Sequence, residues 1–357
     1  MNKVIISSET LKKALAKVGQ AIEIKNPLPV LQHIYCKVQP NSLELIGSNL
    51  DITIHYRVDC ESSETFEFLI PFEFLSKIVA INKHAPLTIE AGKKVKVSGP
   101  NDVYEFNVSE TIDTYPKLQN LPKKKEILIS GELLKTMSVA LATTTKPDVN
   151  ARLSHVLLEL KPGKICIASS DGSYSVYCNE FDNDQQEVEE LLISSKAIKV
   201  LEGLNSVKMF YHKKAIGFEN EELEVIITRS EDKFVDFRKV FPPDWPANTK
   251  VMKHELIEAL GKCSLSSDLL KTTVFTLGEK QFDLMADDQY ININVAMAAD
   301  YTGDVKTIAI NSDKLLKLLQ QIEHSDIEMA IHDAKRAIVI TCESDPGYRG
   351  MLMPIAV

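Results

Sequence analysis

The chain contains Ile127-Leu128-Ile129-Ser130 followed by Leu133-Leu134-Lys135-Thr136-Met137, and this short pattern is the key to its architecture. The apolar run ending at Ile129 predicts a β-strand. Ser130 is a good helix N-cap, because its hydroxyl can accept a hydrogen bond from a free N–H of the first turn. The leucines and the methionine that follow recur at three- and four-residue spacing, which gives a helix one apolar face. The pattern therefore predicts a strand that leads directly into an amphipathic helix.

The same pattern occurs five more times, so the chain is a sixfold repeat. The last apolar residues of the six strand-like runs are Ile6, Ile70, Ile129, Ile193, Met252 and Ile310. They are separated by 64, 59, 64, 59 and 58 positions. Ser7, Ser194 and Asn311 are further good N-caps, and Pro71 suits the first position of a helix, where its missing N–H costs nothing. The alternating spacing predicts that the repeats pair into three domains, at residues 1–122, 123–247 and 248–357.

Short alternating segments follow each helix and predict antiparallel strands with one buried face. They include residues 43–46, 51–56, 156–160, 164–168 and 338–341. Turn residues such as Asp345-Pro346-Gly347 separate the segments. Each repeat is then one helix plus several strands, and two repeats can bury their apolar faces against each other. The predicted class is α+β, with three similar domains that each contain two helix-plus-antiparallel-strand repeats.

The bulk composition is that of an ordinary globular protein, with 44% hydrophobic and 25% charged residues among 357. No run of about 18 apolar residues predicts a membrane helix, and residues 1–7 lack the apolar core of a signal peptide. Six cysteines are scattered without a C-x-x-C pair, which favours reduced thiols. We therefore expect a cytoplasmic protein.

Positive charge is concentrated on the predicted helices. The chain carries a net charge of −9, yet the six helices and their caps hold 13 Lys against 8 acidic residues. A basic, helix-lined surface suits sequence-independent contact with phosphates, while the acidic remainder argues against DNA binding over the whole surface. For any one helix, the alternative is that lysine simply covers a solvated face. The recurrence on all six helices favours a shared role.

An enzyme is the main alternative class. The sequence has no phosphate-binding loop, no dinucleotide-binding glycine motif, no H-E-x-x-H and no G-x-S-x-G. Asp51 and the pair Asp287-Asp288 are possible metal-binding carboxylates, but paired acidic residues in a turn are more often solvated. His254-Glu255 at a helix start is more typical of a surface than of a catalytic site. We expect no catalytic residue, no cofactor and no metal.

The chain resembles the bacterial DNA polymerase III beta subunit family over its whole length. Five short motifs in the family's order carry the resemblance: Asn26-Pro27-Leu28-Pro29-Val30-Leu31, Leu45-Ile46-Gly47-Ser48-Asn49-Leu50-Asp51, Ala168-Ser169-Ser170-Asp171-Gly172, the segment from Phe234 to Pro242, and Met353-Pro354-Ile355-Ala356-Val357. The resemblance implies a DNA sliding clamp: a head-to-tail homodimeric ring around duplex DNA that makes polymerases processive without catalysis. Its implied partners are DNA polymerase subunits, the clamp loader and repair proteins.

The resemblance also implies a hydrophobic pocket for partner peptides between the second and third domains. Its matching positions are Leu153, Ser170, Gly172, Ser173, Tyr174, Ser175, Val240, Met351, Leu352, Met353, Pro354 and Ile355. Methionines and branched aliphatic side chains make an adaptable apolar groove. Ser173-Tyr174-Ser175 stands where the family commonly has His-Arg-Leu, Val235 replaces a proline and Ala356 an arginine. A divergent principal clamp and a specialised second clamp both remain open.

Two further sets of residues follow from the resemblance. The lysines predicted to face DNA are Lys12, Lys13, Lys17, Lys25, Lys77, Lys135, Lys196, Lys199, Lys253, Lys314 and Lys317. The residues predicted at the dimer interface are Phe106, Val108 and Leu265, although an apolar strand near Phe106 could equally be core. A repeat scaffold that binds proteins without DNA is the second alternative, and salt-sensitive binding to nonspecific duplex would separate it from a clamp.

Overall fold

The computed structural model describes residues 2–116, 121, 126–173, 175–242, 246–266 and 271–355. It contains the six predicted helices: α1 (Ser8–Val18), α2 (Phe72–Ile81), α3 (Gly131–Ala140), α4 (Ser195–Leu201), α5 (Lys253–Cys263) and α6 (Ser312–Leu319). The caps form as predicted at Ser7, whose hydroxyl accepts from the N–H of Thr10 at 3.0 Å, and at Asn311. Pro71 differs by one position, because it is the N-cap of α2 and not its first helical residue.

Every repeat has the same order of elements: one strand, one helix and then a three-stranded meander. The first two repeats contain β1 (Lys3–Ser7), β2 (His33–Gln39), β3 (Ser42–Ser48), β4 (Ile52–Asp59), β5 (Phe66–Pro71), β6 (Pro86–Ala91), β7 (Val95–Ser98) and β8 (Val103–Phe106). The next two contain β9 (Glu126–Ser130), β10 (His155–Lys161), β11 (Lys164–Ser170), β12 (Ser175–Asp182), β13 (Glu189–Ser194), β14 (Ser206–Tyr211), β15 (Ala215–Glu219) and β16 (Leu223–Thr228). The last two contain β17 (Thr249–Met252), β18 (Thr272–Leu277), β19 (Gln281–Asp287), β20 (Asn292–Ala298), the short β21 (Asp300–Tyr301), β22 (Thr307–Asn311), β23 (Asp326–Ala330), β24 (Ile338–Cys342) and β25 (Asp345–Leu352).

The leading strand of each repeat pairs with the meander of the neighbouring repeat. Strand β1 pairs with β6 while β5 pairs with β2. In the same way β9 pairs with β14 while β13 pairs with β10, and β17 pairs with β23 while β22 pairs with β18. All these pairs are antiparallel. Adjacent repeats are therefore interlocked two by two through their leading strands.

The chain divides into two compact units, Met1–Leu134 with Lys196–Ser230, and Lys135–Ser195 with Glu231–Val357. The first unit contains a four-stranded sheet in the order β1-β6-β7-β8 and an eight-stranded sheet in the order β5-β2-β3-β4-β16-β15-β14-β9. The second contains a four-stranded sheet in the order β20-β19-β18-β22 and a nine-stranded sheet in the order β13-β10-β11-β12-β25-β24-β23-β17-β21. The large sheets are continuous because the last meander strands pair with one another, β4 with β16 and β12 with β25.

The helices bury their apolar faces as the spacing predicts, and on α1 the buried side includes Leu11, Leu15 and Val18. One predicted turn was wrong. The segment Asp345-Pro346-Gly347 begins β25, and the turn before it is residues 343–344. The cause is a register irregularity between β24 and β25, which leaves Pro346 opposite no partner residue and makes its missing N–H harmless. In the described part of the chain, no helix has the length and apolar character needed to cross a membrane.

Candidate functional site

The turn between β11 and β12 organises the predicted partner pocket. The carboxylate of Asp171 accepts hydrogen bonds from the N–H of Ser173 at 3.1 Å, and from the N–H and the hydroxyl of Ser175, both at 2.9 Å. The ammonium of Lys314 lies 2.6 Å from the same carboxylate, which is only 6% exposed. The Ser170 hydroxyl donates to the carbonyl of Ser175. These bonds fix the turn in one conformation, and Asp171 is a supporting residue that was not among the predicted pocket positions.

Gly172 brings the turn against the apolar part of the site. Its φ is +78°, in the left-handed region that favours glycine, and its N–H donates to the Ser170 hydroxyl at 3.0 Å. A β-carbon at this position would lie 2.6 Å from Cδ1 of Leu153. The left-handed backbone therefore favours glycine here, and a β-carbon would in addition require the Leu153 side chain to move.

The apolar floor of the site is a cluster in which the predicted residues Leu153 and Met351 are buried together with Val176. Its aromatic members, which the pocket prediction missed, are the buried Phe234 and Phe237 and the partly buried Phe241. All three belong to the segment from Phe234 to Pro242, in which only Val240 was predicted to line the pocket. The signal that could have found them is the occurrence of three phenylalanines within eight residues.

The C-terminal segment continues the cluster towards solvent. Strand β12 pairs with β25 in the register Val176–Met351 and Ser175–Leu352. Leu352 is completely buried, whereas Met353, Pro354 and Ile355 are half-buried, and Met353 packs against the cluster. The N–H of Ile355 donates to the carbonyl of Ala309 at 2.7 Å, which holds the segment down. A partly exposed apolar strip thus extends from a rigid strand.

The predicted pocket residues differ in how accessible they are. Val240 and Ser173 are exposed, and Met353 is partly so. Leu153, Ser170, Ser175, Met351 and Leu352 are buried and support the site from below. Tyr174 and Ala356 lie outside the described residues.

Arg238 supplies a cation beside this site. It lies on the short 3-10 helix Phe237–Val240, and its guanidinium donates to both carboxylate oxygens of Glu159, at 2.5 and 3.3 Å, and to Glu180 at 3.4 Å. Burial alone would lower the pKa of Arg238, but the hydrogen bonds and charge of Glu159 raise it above its usual range. The guanidinium therefore ties the segment that carries Val240 to the nine-stranded sheet.

The predicted DNA-facing lysines fall into two groups. Lys17, Lys253 and Lys314 are held by the protein itself: Lys17 donates to the carbonyl of Val200 at 2.5 Å, Lys253 to that of Ile322 at 2.5 Å, and Lys314 pairs with Asp171. Burial lowers the pKa of Lys17. The other eight are exposed: Lys12, Lys13, Lys25, Lys77, Lys135, Lys196, Lys199 and Lys317. Four of them pair with a carboxylate: Lys13 with Glu9, Lys77 with Glu73, Lys135 with Glu323 and Lys196 with Glu23.

The residues predicted at the dimer interface have three different environments. Phe106 ends the edge strand β8, and its ring lies 6.2 Å from that of Phe74. Val108 packs partly against the buried cluster that contains Tyr35. Leu265 follows α5 and is 72% exposed.

The carboxylates considered for an enzyme have ordinary roles. Asp288 accepts hydrogen bonds from the N–H groups of Tyr290 and Ile291, at 2.7 and 2.9 Å, and so closes the turn between β19 and β20. Asp51 and Asp287 are exposed. In the ranges that the structure describes, none of the three belongs to a group of side chains close enough to share a metal ion.

Two family models match this chain, one near each end. A model described as "DNA polymerase III beta subunit, N-terminal domain" matches residues 2–119, and one described as "DNA polymerase III beta subunit, C-terminal domain" matches residues 238–356. The chain belongs to the DNA polymerase III beta subunit family. The resemblance that the motifs indicate is thereby confirmed.

Curated relatives in the DNA polymerase III beta subunit family are named beta sliding clamps. The clamp of Chlamydia pneumoniae is 22% identical over 349 residues, covering 95% of each chain. That of Buchnera aphidicola is 22% identical over 384 residues, covering 98% of this chain and 99% of its own. The relatives therefore match this chain from end to end.

Solved structures of DNA polymerase III beta subunits share the fold. The subunit from Thermotoga maritima has a TM-score of 0.89 at 19% identity and covers 99% of both chains. A clamp from Pseudomonas aeruginosa bound to griselimycin has a TM-score of 0.91 at 18% identity and covers 100% of both. The predicted α+β clamp fold is confirmed.

Proposed function

We propose that this chain forms a head-to-tail homodimeric ring that encircles duplex DNA in the bacterial cytoplasm. The ring has no catalytic role and tethers polymerase subunits, the clamp loader and repair proteins through short peptides. Each chain contributes three domains, at residues 1–122, 123–247 and 248–357. The observation that carries the proposal is the pattern of paired and open sheet edges in a member of the DNA polymerase III beta subunit family.

The last strand of each three-stranded meander explains why two copies would close a ring. Four of the six final meander strands pair with one another within the chain, β4 with β16 and β12 with β25. The other two, β8 and β20, lie at the edges of the four-stranded sheets. An open edge presents unpaired backbone groups that another strand can satisfy. Pairing β8 of each copy with β20 of the other leaves neither edge open and is a closed twofold arrangement. Phe106, Val108 and Leu265 would lie near this contact.

Exposed lysines on the helices support weak, sequence-independent contact with DNA. Lys12, Lys77, Lys135, Lys199 and Lys317 project from five different helices. Cations that meet phosphates without reading bases allow the protein to slide. A closed ring stays on DNA by topology, so strong binding is unnecessary.

The partly exposed strip of Met353, Pro354 and Ile355 and the exposed side chain of Val240 support docking of an apolar partner peptide. Methionine and aliphatic side chains adapt to different partners, and the fixed Asp171 turn pre-organises one wall, which lowers the ordering cost of binding. The changed residues Ser173, Tyr174 and Ala356 leave the preferred peptide, and the choice between a principal and a specialised clamp, to experiment.

The first test is fluorescence polarisation with a labelled peptide of the Gln-Leu-x-Leu-Phe type. We expect saturable binding to the wild-type chain. Met353→Asp should weaken it by at least about tenfold, because the new carboxylate would be desolvated in an apolar groove. Val188→Asp is the matched control, since Val188 is an exposed valine outside the site. Well-folded wild-type protein that binds no peptide would contradict the assignment of this pocket.

A further inference from the structure

Two cysteines face each other at the edge of the apolar cluster. Cys166 on β11 and Cys178 on β12 are both buried, and their sulfur atoms lie 3.4 Å apart. In the register of these antiparallel strands, Cys166 is opposite Glu180 and Cys178 is opposite Ala168. The two thiols and the carboxylate of Glu180 therefore share one face of the sheet, and their possible ligand atoms all lie within 4.8 Å of one another.

The strand register disfavours a disulfide at this position. Cys166 and Cys178 are diagonal neighbours, and such residues have α-carbons about 7–8 Å apart in antiparallel sheets. A disulfide usually requires at most about 6.8 Å between α-carbons. Two Zn–S bonds of about 2.3 Å at a tetrahedral angle span about 3.8 Å between sulfurs. The observed sulfur separation of 3.4 Å is much nearer that span than the bond length of about 2.05 Å in a disulfide.

The surrounding charges suit a divalent cation bound by two thiolates. Glu180 is 36% exposed at its side chain and opens the cluster to solvent, which provides a path of entry. With both thiols ionised, the three ligands carry three negative charges. A zinc ion neutralises two of these charges. The guanidinium of Arg238, already 3.4 Å from Glu180, can balance the remaining negative charge. The ammonium of Lys164 lies 3.8 Å from the carboxylate of Glu180 and would have to move away when that carboxylate binds the metal.

We propose that Cys166, Cys178 and Glu180 form a zinc-binding site, with a water molecule as the fourth ligand. Binding forms two Zn–S bonds and one Zn–O bond and releases the two thiol protons to solvent. Oxygen-preferring ions such as Mg²⁺ and Ca²⁺ fit the donor set poorly, whereas Zn²⁺ binds thiolate and carboxylate readily.

The site is built into the same cluster as the partner pocket. Cys166 and Cys178 pack in the same apolar cluster as Leu153, which contacts the turn, and Met351, which precedes the C-terminal segment. Zinc would therefore tie β11 to β12 within the cluster that also contains Leu153, the residue that Gly172 approaches. This inference does not depend on ring formation or on DNA binding.

The test is isothermal titration of the reduced, full-length protein with Zn²⁺, together with the absorption of the Co²⁺ complex. We expect one ion per chain and the near-ultraviolet charge-transfer band of thiolate-bound cobalt. Cys178→Ala should abolish both signals. Cys60→Ala should change neither, because this partly exposed cysteine belongs to no such group among the described residues.

Glu180→Gln tests the third ligand without disturbing the core. It should weaken zinc binding by at least about tenfold while the cobalt–thiolate band remains. Zinc should also raise the melting temperature of the wild-type protein more than that of Cys178→Ala. Folded wild-type protein that binds no stoichiometric zinc, or binds it as Cys178→Ala does, would overturn the proposal. The proposal would also be overturned if thiol counting after denaturation showed that Cys166 and Cys178 form a disulfide in metal-free protein.

Discussion

Gly163 and Gly172 have almost the same backbone conformation but different surroundings. Their φ angles are +77° and +78°. A β-carbon on Gly163 would meet its nearest neighbour at 4.0 Å, an ordinary contact, whereas one on Gly172 would lie 2.6 Å from Leu153. The two positions therefore separate the cost of a left-handed backbone from the cost of a steric clash.

Gly172→Ala should destabilise the second unit more than Gly163→Ala does. The left-handed backbone costs an alanine about 1–2 kcal/mol at either position, and the clash with Leu153 adds to this at Gly172 alone. Urea unfolding followed by circular dichroism would measure the difference in midpoint. Peptide affinity should fall as well for Gly172→Ala, since the turn forms one wall of the site. Equal midpoints for the two variants would show that Leu153 moves aside freely.

At the scale of elements, the helices were predicted almost completely from the sequence. The spacing of apolar residues and the caps at Ser7 and Asn311 are local signals, and both are confirmed. The turn at Asp345-Pro346-Gly347 was misplaced, because a register irregularity is decided by the partner strand and not by local residues. The hydrogen bond from Lys17 to the carbonyl of Val200 on α4 could not be predicted either. It joins residues 183 positions apart, and no local signal indicates such a contact.

The helices also provide a test of DNA contact through salt dependence. Lys199 is exposed on α4, and Lys213 is equally exposed in the turn between β14 and β15. Each lost phosphate contact should lower the slope of log affinity against log salt by about 0.9. Lys199→Ala should therefore flatten the salt dependence of binding to a nonspecific duplex, and Lys213→Ala should leave it unchanged. Identical slopes for these two variants would argue against a helix-lined DNA surface.

For the whole molecule, the fold was predictable and the sites only partly so. The sixfold spacing predicted paired repeats, but the exchange of leading strands depends on pairing between distant segments. Pocket residues transferred by motif, such as Leu153 and Met351, do meet in one cluster. The aromatic residues Phe234 and Phe237 were missed, because phenylalanines close together in sequence indicate burial but not which core they join.

Ring closure predicts a clear effect of charge at Leu265. Because this residue is 72% exposed, Leu265→Asp should leave the fold of one chain intact. If residue 265 is buried between copies, the carboxylate of the introduced aspartate would be desolvated there. The dissociation constant of the dimer should then increase by about 100-fold or more. Sedimentation velocity over a concentration series would detect it. Val149→Asp is the control, because Val149 is 76% exposed and outside the proposed interface. An unchanged dimer in Leu265→Asp would exclude Leu265 from the contact.

The exchange of leading strands also sets an order of events during synthesis. Lys3 pairs with Glu90 in the register of β1 and β6, so β1 leaves the ribosome well before the strand beside which it lies in the sheet. At about 5–20 residues per second, this wait lasts several seconds. During that time the nascent chain carries an apolar strand without its neighbouring strand, and the same delay recurs for β9 and β17 in the later pairs of repeats. We infer that chaperones which bind extended apolar segments are needed most while the first half of each pair is exposed.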